Sequence, residues 1–356
     1  MPKILLDMND RRPAWSLPPW VAGEIREALP QGWTLQVMET EADGSGDGIE
    51  SLSTELLEAV AEAEIYLGYG VPAALIRGAT RLKWAHSGAA GVGGSLSSDM
   101  LESPVVFTNS KGIHGPPMGD TALAMILHFS RGLDFGVTNK AEGSWNTDPF
   151  YREDHPLTEM AFSTIGVFGF GGVGRQVAKR GLALGARVLA FDRGPQAFHD
   201  PGRMAQGSEV HPQDPCLETL HGKGGFQRLL GESDFLVLTA PETPETRGVF
   251  DGPALARMKP TAVLINLSRG CLVAEDALVE ALQAGCLRGA GLDVFLAEPL
   301  ASGHPLWDLP NVILTPHVSA VTRGFWRRQT DLILENLRRY FSGEALLNLV
   351  DKRAGY

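Results

Sequence analysis

The chain has 356 residues, 44% of them hydrophobic and 21% charged, the composition of a globular protein of about two domains. A formal net charge of −11 works against binding to nucleic acid or to an anionic membrane surface. No apolar run nears the roughly 18–20 residues of a membrane-spanning helix, and Cys216, Cys271 and Cys286 are odd in number and lack metal-ligand spacing.

In chain order, the pattern predicts strand Lys3–Leu6, a helix around Pro19–Leu29 and strand Thr34–Met38. A small polar patch, Ala42–Asp47, precedes a helix around Ser51–Glu62. Strands Ile65–Gly68, Leu82–His86 and Val105–Thr108 follow, then a long apolar helix, Pro116–Arg131, entered through two prolines. The stretch Ala141–Leu157 reads as irregular. Six apolar strands come next: Thr164–Phe168, Arg187–Phe191, Phe235–Thr239, Ala262–Asn266, Ala290–Val294 and Val312–Thr315. The last long helix is Arg323–Tyr340. Strands alternating with helices predict an α/β fold with parallel sheets covered on both faces. We expect two doubly wound domains of Rossmann/flavodoxin type. A dinucleotide domain, 115–324, is inserted in a substrate domain made of 1–114 and 325–356. The opening residues read as a strand rather than a secretory leader, so a cytoplasmic location is expected.

The most informative motif is Gly169-Phe170-Gly171-Gly172-Val173-Gly174, placed between a strand and a helix. Gly169 suits a tight turn, Gly171 a close approach of the backbone to a diphosphate, and Gly174 close packing of helix on sheet. The helix N-terminus offers free N–H groups to the anion. Eighteen residues past Gly174, Asp192 ends the next strand. A carboxylate there accepts hydrogen bonds from the adenosine ribose and repels a 2′-phosphate, which favours NAD. Arg193 follows at once and leaves NADP open.

Three ionisable residues follow three later strands: Arg269 in NLSRG, Glu298 in DVFLAEPL and His317 in TPH. Ligands bind at the carboxyl edge of such sheets, so the three are expected to converge in one cleft. A second feature is the small-residue loop Ser87–Gly94, after strand Leu82–His86, whose backbone N–H groups can form an anion-binding nest.

The ordered set GFGGVG, Asp192, NLSRG, DVFLAEPL and HPLWDLPNVILTPH resembles the D-isomer-specific 2-hydroxyacid dehydrogenase family. The resemblance covers nearly all of the chain, is densest from Thr164 onward, and points to the glyoxylate/hydroxypyruvate reductase-like branch. It implies hydride transfer between a nicotinamide cofactor and a small 2-oxoacid. It assigns Arg269 to the substrate carboxylate and keto oxygen, His317 to proton transfer, and Glu298 to holding His317. Asp293 holds the nicotinamide carboxamide, Gly172 and Val173 supply pyrophosphate amides, and Leu267 lies near the cofactor through its backbone. Ala90, Gly91 and Val92 grip the substrate carboxylate. The resemblance also implies a homodimer, formed through Pro116–Arg131 and Ala141–Leu157, with no nucleic-acid or membrane partner and no metal. Tyr69 and Trp326 are further candidates near substrate, Trp326 by reaching a neighbouring active site. Asp120 stands where the family often has Glu, and 194–232 is longer than usual.

Three alternatives stay open. A short 3-phosphoglycerate dehydrogenase of the same family stays open, and a long, allosteric one with a regulatory domain after Tyr356 is not expected. A formate dehydrogenase of the same fold is expected to carry Gln where Glu298 stands. A corepressor-like NAD(H) sensor differs by its lack of turnover.

Overall fold

The computed structural model describes residues 1–39, 52–153, 155–194, 210 and 214–355. The polar patch Ala42–Asp47 and most of 194–213 lie outside them. Packing divides the chain into two compact units, Met1–Ile113 with Val321–Tyr356, and His114–Ala320.

The first unit begins with β1 (Lys3–Asp7), α1 (Pro19–Glu27), β2 (Thr34–Val37), α2 (Thr54–Ala61) and β3 (Ile65–Gly68). It continues with α3 (Ala73–Gly78), β4 (Trp84–Ser87), α4 (Ser98–Glu102) and β5 (Val106–Asn109). The five strands are parallel, in the order β2-β1-β3-β4-β5. Strands β3 and β4 are buried along their whole length, as strands covered on both faces must be. Alternate residues feed two cores. Leu5, Tyr66, Ala85 and Phe107 point to one, and Ile4, Leu6, Ile65, Leu67 and Trp84 to the other.

The second unit runs α5 (Gly115–Ser130), α6 (Leu133–Glu142), α7 (Asp148–Tyr151), β6 (Thr164–Phe168), α8 (Gly172–Ala183) and β7 (Arg187–Phe191). Then come β8 (Leu217–Leu220), α9 (Gly222–Glu232), β9 (Phe235–Leu238), α10 (Gly252–Leu255) and β10 (Val263–Asn266). Last are α11 (Glu275–Gln283), β11 (Gly289–Leu292) and β12 (Val312–Leu314). Seven parallel strands lie in the order β12-β11-β10-β9-β6-β7-β8. The order reverses between β6 and β9, which is the switch point where such sheets bind ligands. The chain then returns to the first unit through α12 (Phe325–Ser342). Its buried face carries Phe325, Trp326, Gln329, Ile333 and Leu337 at helical spacing.

Two expectations change. Strand β8 adds a seventh member to the six read from apolar runs. Its residues, Leu-Glu-Thr-Leu, are half-exposed, so an edge strand lacks the apolar signature of its neighbours. The stretch read as irregular holds α7, and α6 precedes it. α6 buries only Asp134, and a helix with almost no buried face gives little periodic signal.

Candidate active site

The glycine motif folds as its residues dictate. Gly169 has φ +99°, a region that L side chains avoid. A Cβ there would also strike the backbone of Ala240. Its N–H donates to Phe191 O at 2.8 Å, and its carbonyl accepts from Thr239 Oγ1 at 2.6 Å. A Cβ on Gly174 would run into the carbonyl of Gly169, so only glycine lets α8 sit this close to β6. Around Gly171, by contrast, a Cβ would meet nothing within 4 Å. The backbone there is open to an incoming group. Among the described residues the N–H groups of Gly172 and Val173 donate to no protein acceptor, and the first turn of α8 carries no acidic side chain. Those features fit a diphosphate.

Asp192 lies just past β7, beside this loop. Its Oδ2 accepts the N–H of Phe170 at 3.2 Å and its Oδ1 that of Arg193 at 2.7 Å. The carboxylate is therefore fixed next to the glycine turn, at the site of the adenosine ribose in such folds.

The other candidates of this unit follow β10, β11 and β12, on the same sheet edge. Asn266 ends β10 and shapes the NLSRG turn. Its Oδ1 accepts from the N–H and hydroxyl of Ser268 at 3.0 and 2.9 Å, and its Nδ2 donates to Arg269 O at 2.9 Å. Leu267 is buried and donates its N–H to Leu238 O. Arg269 Nη1 donates to Ser268 O at 2.8 Å. Gly270 abuts the backbone of Phe295 so closely that no side chain fits between them. That contact presses the Arg269 loop against the loop that carries Glu298.

Glu298 divides its carboxylate. Oε1 accepts the N–H of Phe295 at 3.0 Å, and Oε2 stands 2.7 Å from Nδ1 of His317. The imidazole itself is half-exposed, with Nε2 left for another partner. His317 has φ +53°, rare for a residue with a side chain and costing about 1–3 kcal/mol. Asp293 holds it there. The His317 N–H donates to Asp293 O at 2.8 Å. The Asp293 carboxylate accepts from Thr315 Oγ1 at 2.6 Å, Val318 N at 2.9 Å and Ser319 N at 3.0 Å. Asp293 is fully buried, and its carboxylate is bonded to this turn. Asn266 and Asp293 were not read from the sequence as shaping these turns. The available signal was an Asn or Asp at the end of an apolar strand, where its side chain bonds nearby backbone.

Ala90, Gly91 and Val92 lie in the first unit, after β4, apart in sequence from all of these. Among the described residues their N–H groups donate to no protein acceptor, as a nest requires. Tyr69 is 8% exposed and spends its hydroxyl on Trp15 O. Trp326, expected to reach a neighbouring site, is instead buried in the core of its own unit. It packs edge-on against Tyr69 and Phe325, because it falls on the apolar stripe of α12. Asp120 pairs with Arg180 at 2.7 Å. Among the described residues no group of three His, Cys, Asp or Glu could hold a metal, and no helix is long and apolar enough to cross a membrane.

The switch-point glycine loop and the residues on the same sheet edge define a dinucleotide-binding α/β oxidoreductase. The family profile described as D-isomer specific 2-hydroxyacid dehydrogenase, NAD binding domain, matches residues 123–319. Glyoxylate/hydroxypyruvate reductase B of Pectobacterium carotovorum is 32% identical over 332 residues, covering 93% of this chain and 95% of its own. A glycerate dehydrogenase of Methylorubrum extorquens is 36% identical over 205 residues, covering 57% of this chain and only 58% of its own. Among solved structures, a D-isomer specific 2-hydroxyacid dehydrogenase of Xanthobacter autotrophicus, in complex with NADPH and MES, superposes with a TM-score of 0.76 at 27% identity. It covers 100% of this chain and 99% of its own. The chain belongs to the D-isomer-specific 2-hydroxyacid dehydrogenase family, NAD(P)-dependent oxidoreductases that act on CH–OH donors.

Proposed function

We propose that this protein interconverts a small 2-oxoacid and its D-2-hydroxyacid, with His317 and Glu298 as the acid–base pair and Arg269 as the carboxylate and carbonyl binder. The observation that carries the reading is the 2.7 Å contact between His317 Nδ1 and Glu298 Oε2. A carboxylate on one ring nitrogen orients the imidazole and leaves the other nitrogen to face a substrate. The proton to be transferred then sits on the half-exposed Nε2.

When bound, the reduced nicotinamide supplies the hydride that reduces the 2-oxo carbon. Gly171, Gly172 and Val173 hold its diphosphate, and Asp192 holds the adenosine ribose. Asp293 holds the nicotinamide carboxamide, as the family resemblance implies, and fixes the turn on which His317 stands. Arg269 orients the substrate and polarises its carbonyl oxygen, since a guanidinium stays charged and its planar fork matches a carboxylate. His317 gives its proton to that oxygen in reduction and takes it back in oxidation. The amides of Ala90, Gly91 and Val92 grip the substrate carboxylate. Asp192 favours NAD over NADP.

The test is loss of NADH and NADPH absorbance against glyoxylate, hydroxypyruvate, pyruvate, phenylpyruvate and 3-phosphohydroxypyruvate. Turnover of an unphosphorylated 2-oxoacid, abolished by Arg269→Ala while NADH still binds, supports the reading. Turnover of the phosphorylated compound alone replaces it with a phosphoglycerate dehydrogenase. Silence throughout, with NADH bound, replaces it with a sensing role. Loss of NADH binding in Arg269→Ala means that Arg269 belongs to the cofactor site.

A further inference from the structure

The loop after β4 has its carbonyls turned inward and tied down. Ser110 Oγ donates to Ser87 O at 2.9 Å, Ser110 N to Ala89 O at 3.1 Å, and Asn109 Nδ2 to Ala90 O at 2.8 Å. Ser95 N closes the far end on Val92 O at 2.9 Å. A trans peptide plane points the oxygen of one residue and the N–H of the next to opposite sides. The ties on Ala89 O and Ala90 O therefore aim the N–H groups of Ala90 and Gly91 away from the anchor. The plane of Ser87 O carries the Gly88 N–H, which donates to Gly68 O at 2.7 Å. Three successive N–H groups, of Ala90, Gly91 and Val92, are left without a protein acceptor among the described residues. The loop has no charged side chain of its own, so its grip on an anion depends on those amides staying aligned.

The tether is itself anchored. Asn109 Oδ1 accepts Lys111 N at 3.2 Å. Its backbone N–H donates to Asn348 O at 3.2 Å, and its carbonyl accepts from Asn348 Nδ2 at 3.1 Å. Beneath lies His86, fully buried. Its Nε2 is 3.0 Å from Gln329 Nε2 and 3.1 Å from Ser110 Oγ, and its Nδ1 is 2.9 Å from Thr108 Oγ1. Thr108 Oγ1 also accepts from Trp84 Nε1 at 2.8 Å. With the Ser110 hydroxyl donating to Ser87 O, its bond to His86 requires the ring proton on Nε2, and Nδ1 then accepts from Thr108 Oγ1.

We propose that Asn109 and Ser110 are positioning residues for substrate carboxylate binding: the Asn109 side chain and the Ser110 backbone N–H hold the amides of Gly91 and Ala90 outward, and the Ser110 hydroxyl, set beside His86, anchors the start of the loop at Ser87 O. The proposal rests on the reading that this loop grips the carboxylate. Neither side chain touches substrate; each acts through the loop.

The experiment compares Asn109→Ala, Ser110→Ala and Ser110→Thr with the wild-type full chain. Readouts are KM for the best 2-oxoacid of the panel, Ki for oxamate as a carboxylate-bearing dead-end ligand, KM for NADH, kcat and thermal midpoint. Asn109→Ala, which frees Ala90 O, is expected to raise oxoacid KM and oxamate Ki on the order of ten-fold, the effect of losing one positioned hydrogen bond, and Ser110→Ala, which frees only Ser87 O, to raise them less. KM for NADH is expected to stay put, and Ser110→Thr, which keeps the hydroxyl, to restore the wild-type values. Unmoved KM and Ki in folded alanine variants overturn the proposal while wild-type turnover leaves the reading of the site intact. A fall in kcat or thermal midpoint alone, with KM unchanged, also overturns it by making the role merely structural. A wild-type chain that turns over no 2-oxoacid overturns the reading of the site and the proposal together.

Discussion

Nδ1 of His317 stands 2.7 Å from Oε2 of Glu298, although nineteen residues separate them in the chain. The pair forms because two strand-end loops of one parallel sheet meet, and Asp293 fixes the backbone of one of them. In His317→Ala we expect turnover to fall roughly 10²–10⁴-fold, the range for removal of a positioned acid–base group. Glu298→Gln should lower it less, because the amide oxygen can still accept from Nδ1 and orient the ring. NADH binding should survive in both, measured by titration of its fluorescence. A His317→Ala variant with near-normal kcat would remove His317 from the mechanism.

Asp192 is fixed beside the glycine turn by two backbone N–H groups, and the proposed function assigns it the adenosine ribose. Asp192→Ala should lower kcat/KM for NADH and raise it for NADPH, since the repulsion of a 2′-phosphate disappears while Arg193 remains. A shift in the NADH/NADPH ratio of about ten-fold or more is expected. If the ratio does not move, selectivity is set elsewhere.

Acid stability of the first unit depends on two buried groups that oppose each other. Burial pushes the His86 imidazole down to about 3 from 6.5. The unfolded chain binds that proton below 6.5 and the folded chain does not, so stability falls as pH drops through this window. Burial, partly offset by the Tyr66 hydroxyl, pushes the Asp7 carboxyl up to about 6 from 3.8. The folded chain keeps that proton longer than the unfolded one, so stability is lost as pH rises from 3.8 toward 6 and is regained on acidification. Asp7→Asn removes the second effect. Between about pH 7 and pH 5 the variant should lose about 2 kcal/mol, against under about 1 kcal/mol for the wild type. Urea midpoints at the two pH values measure this, and equal losses in both proteins would mean that Asp7 is not a protonated buried group.

Trp145, Tyr151 and Phe162 are 93%, 83% and 81% exposed, and Leu133 and Val137 on α6 are also open to solvent. The family resemblance implies a homodimer through this stretch, and exposed aromatic side chains there suit such an interface. Covering each such side chain contributes about 1.5–3 kcal/mol. The double variant Trp145→Ala, Tyr151→Ala should therefore sediment as a monomer at concentrations where the wild type is a dimer. A dimer that survives the change would move the interface elsewhere, and a monomeric wild type would end the expectation.

Most strands were legible because a strand buried on both faces is an uninterrupted apolar run, as in Ile65–Gly68 and Phe235–Leu238. The edge strand Leu217–Leu220 was not, since what makes it a strand is its hydrogen bonding to β7 rather than its own pattern. Trp326 misled for a related reason. An aromatic residue near a helix start reads as reaching outward until the helix is docked and its stripe is known.

The sequence by itself determined the glycine loop, the acidic residue after the second strand of that unit, and the identity of Arg269, Glu298 and His317. Each belongs to a short contiguous stretch whose backbone need is local, such as the positive φ of Gly169. Tertiary structure alone decided which groups touch. It set the 2.7 Å geometry of the expected His317–Glu298 pair, bonded both oxygens of Asp293 to one turn, and brought Ser110 and Gln329 together around His86. Those partnerships depend on strand order and helix docking, which join residues far apart in the chain and leave no trace in local periodicity.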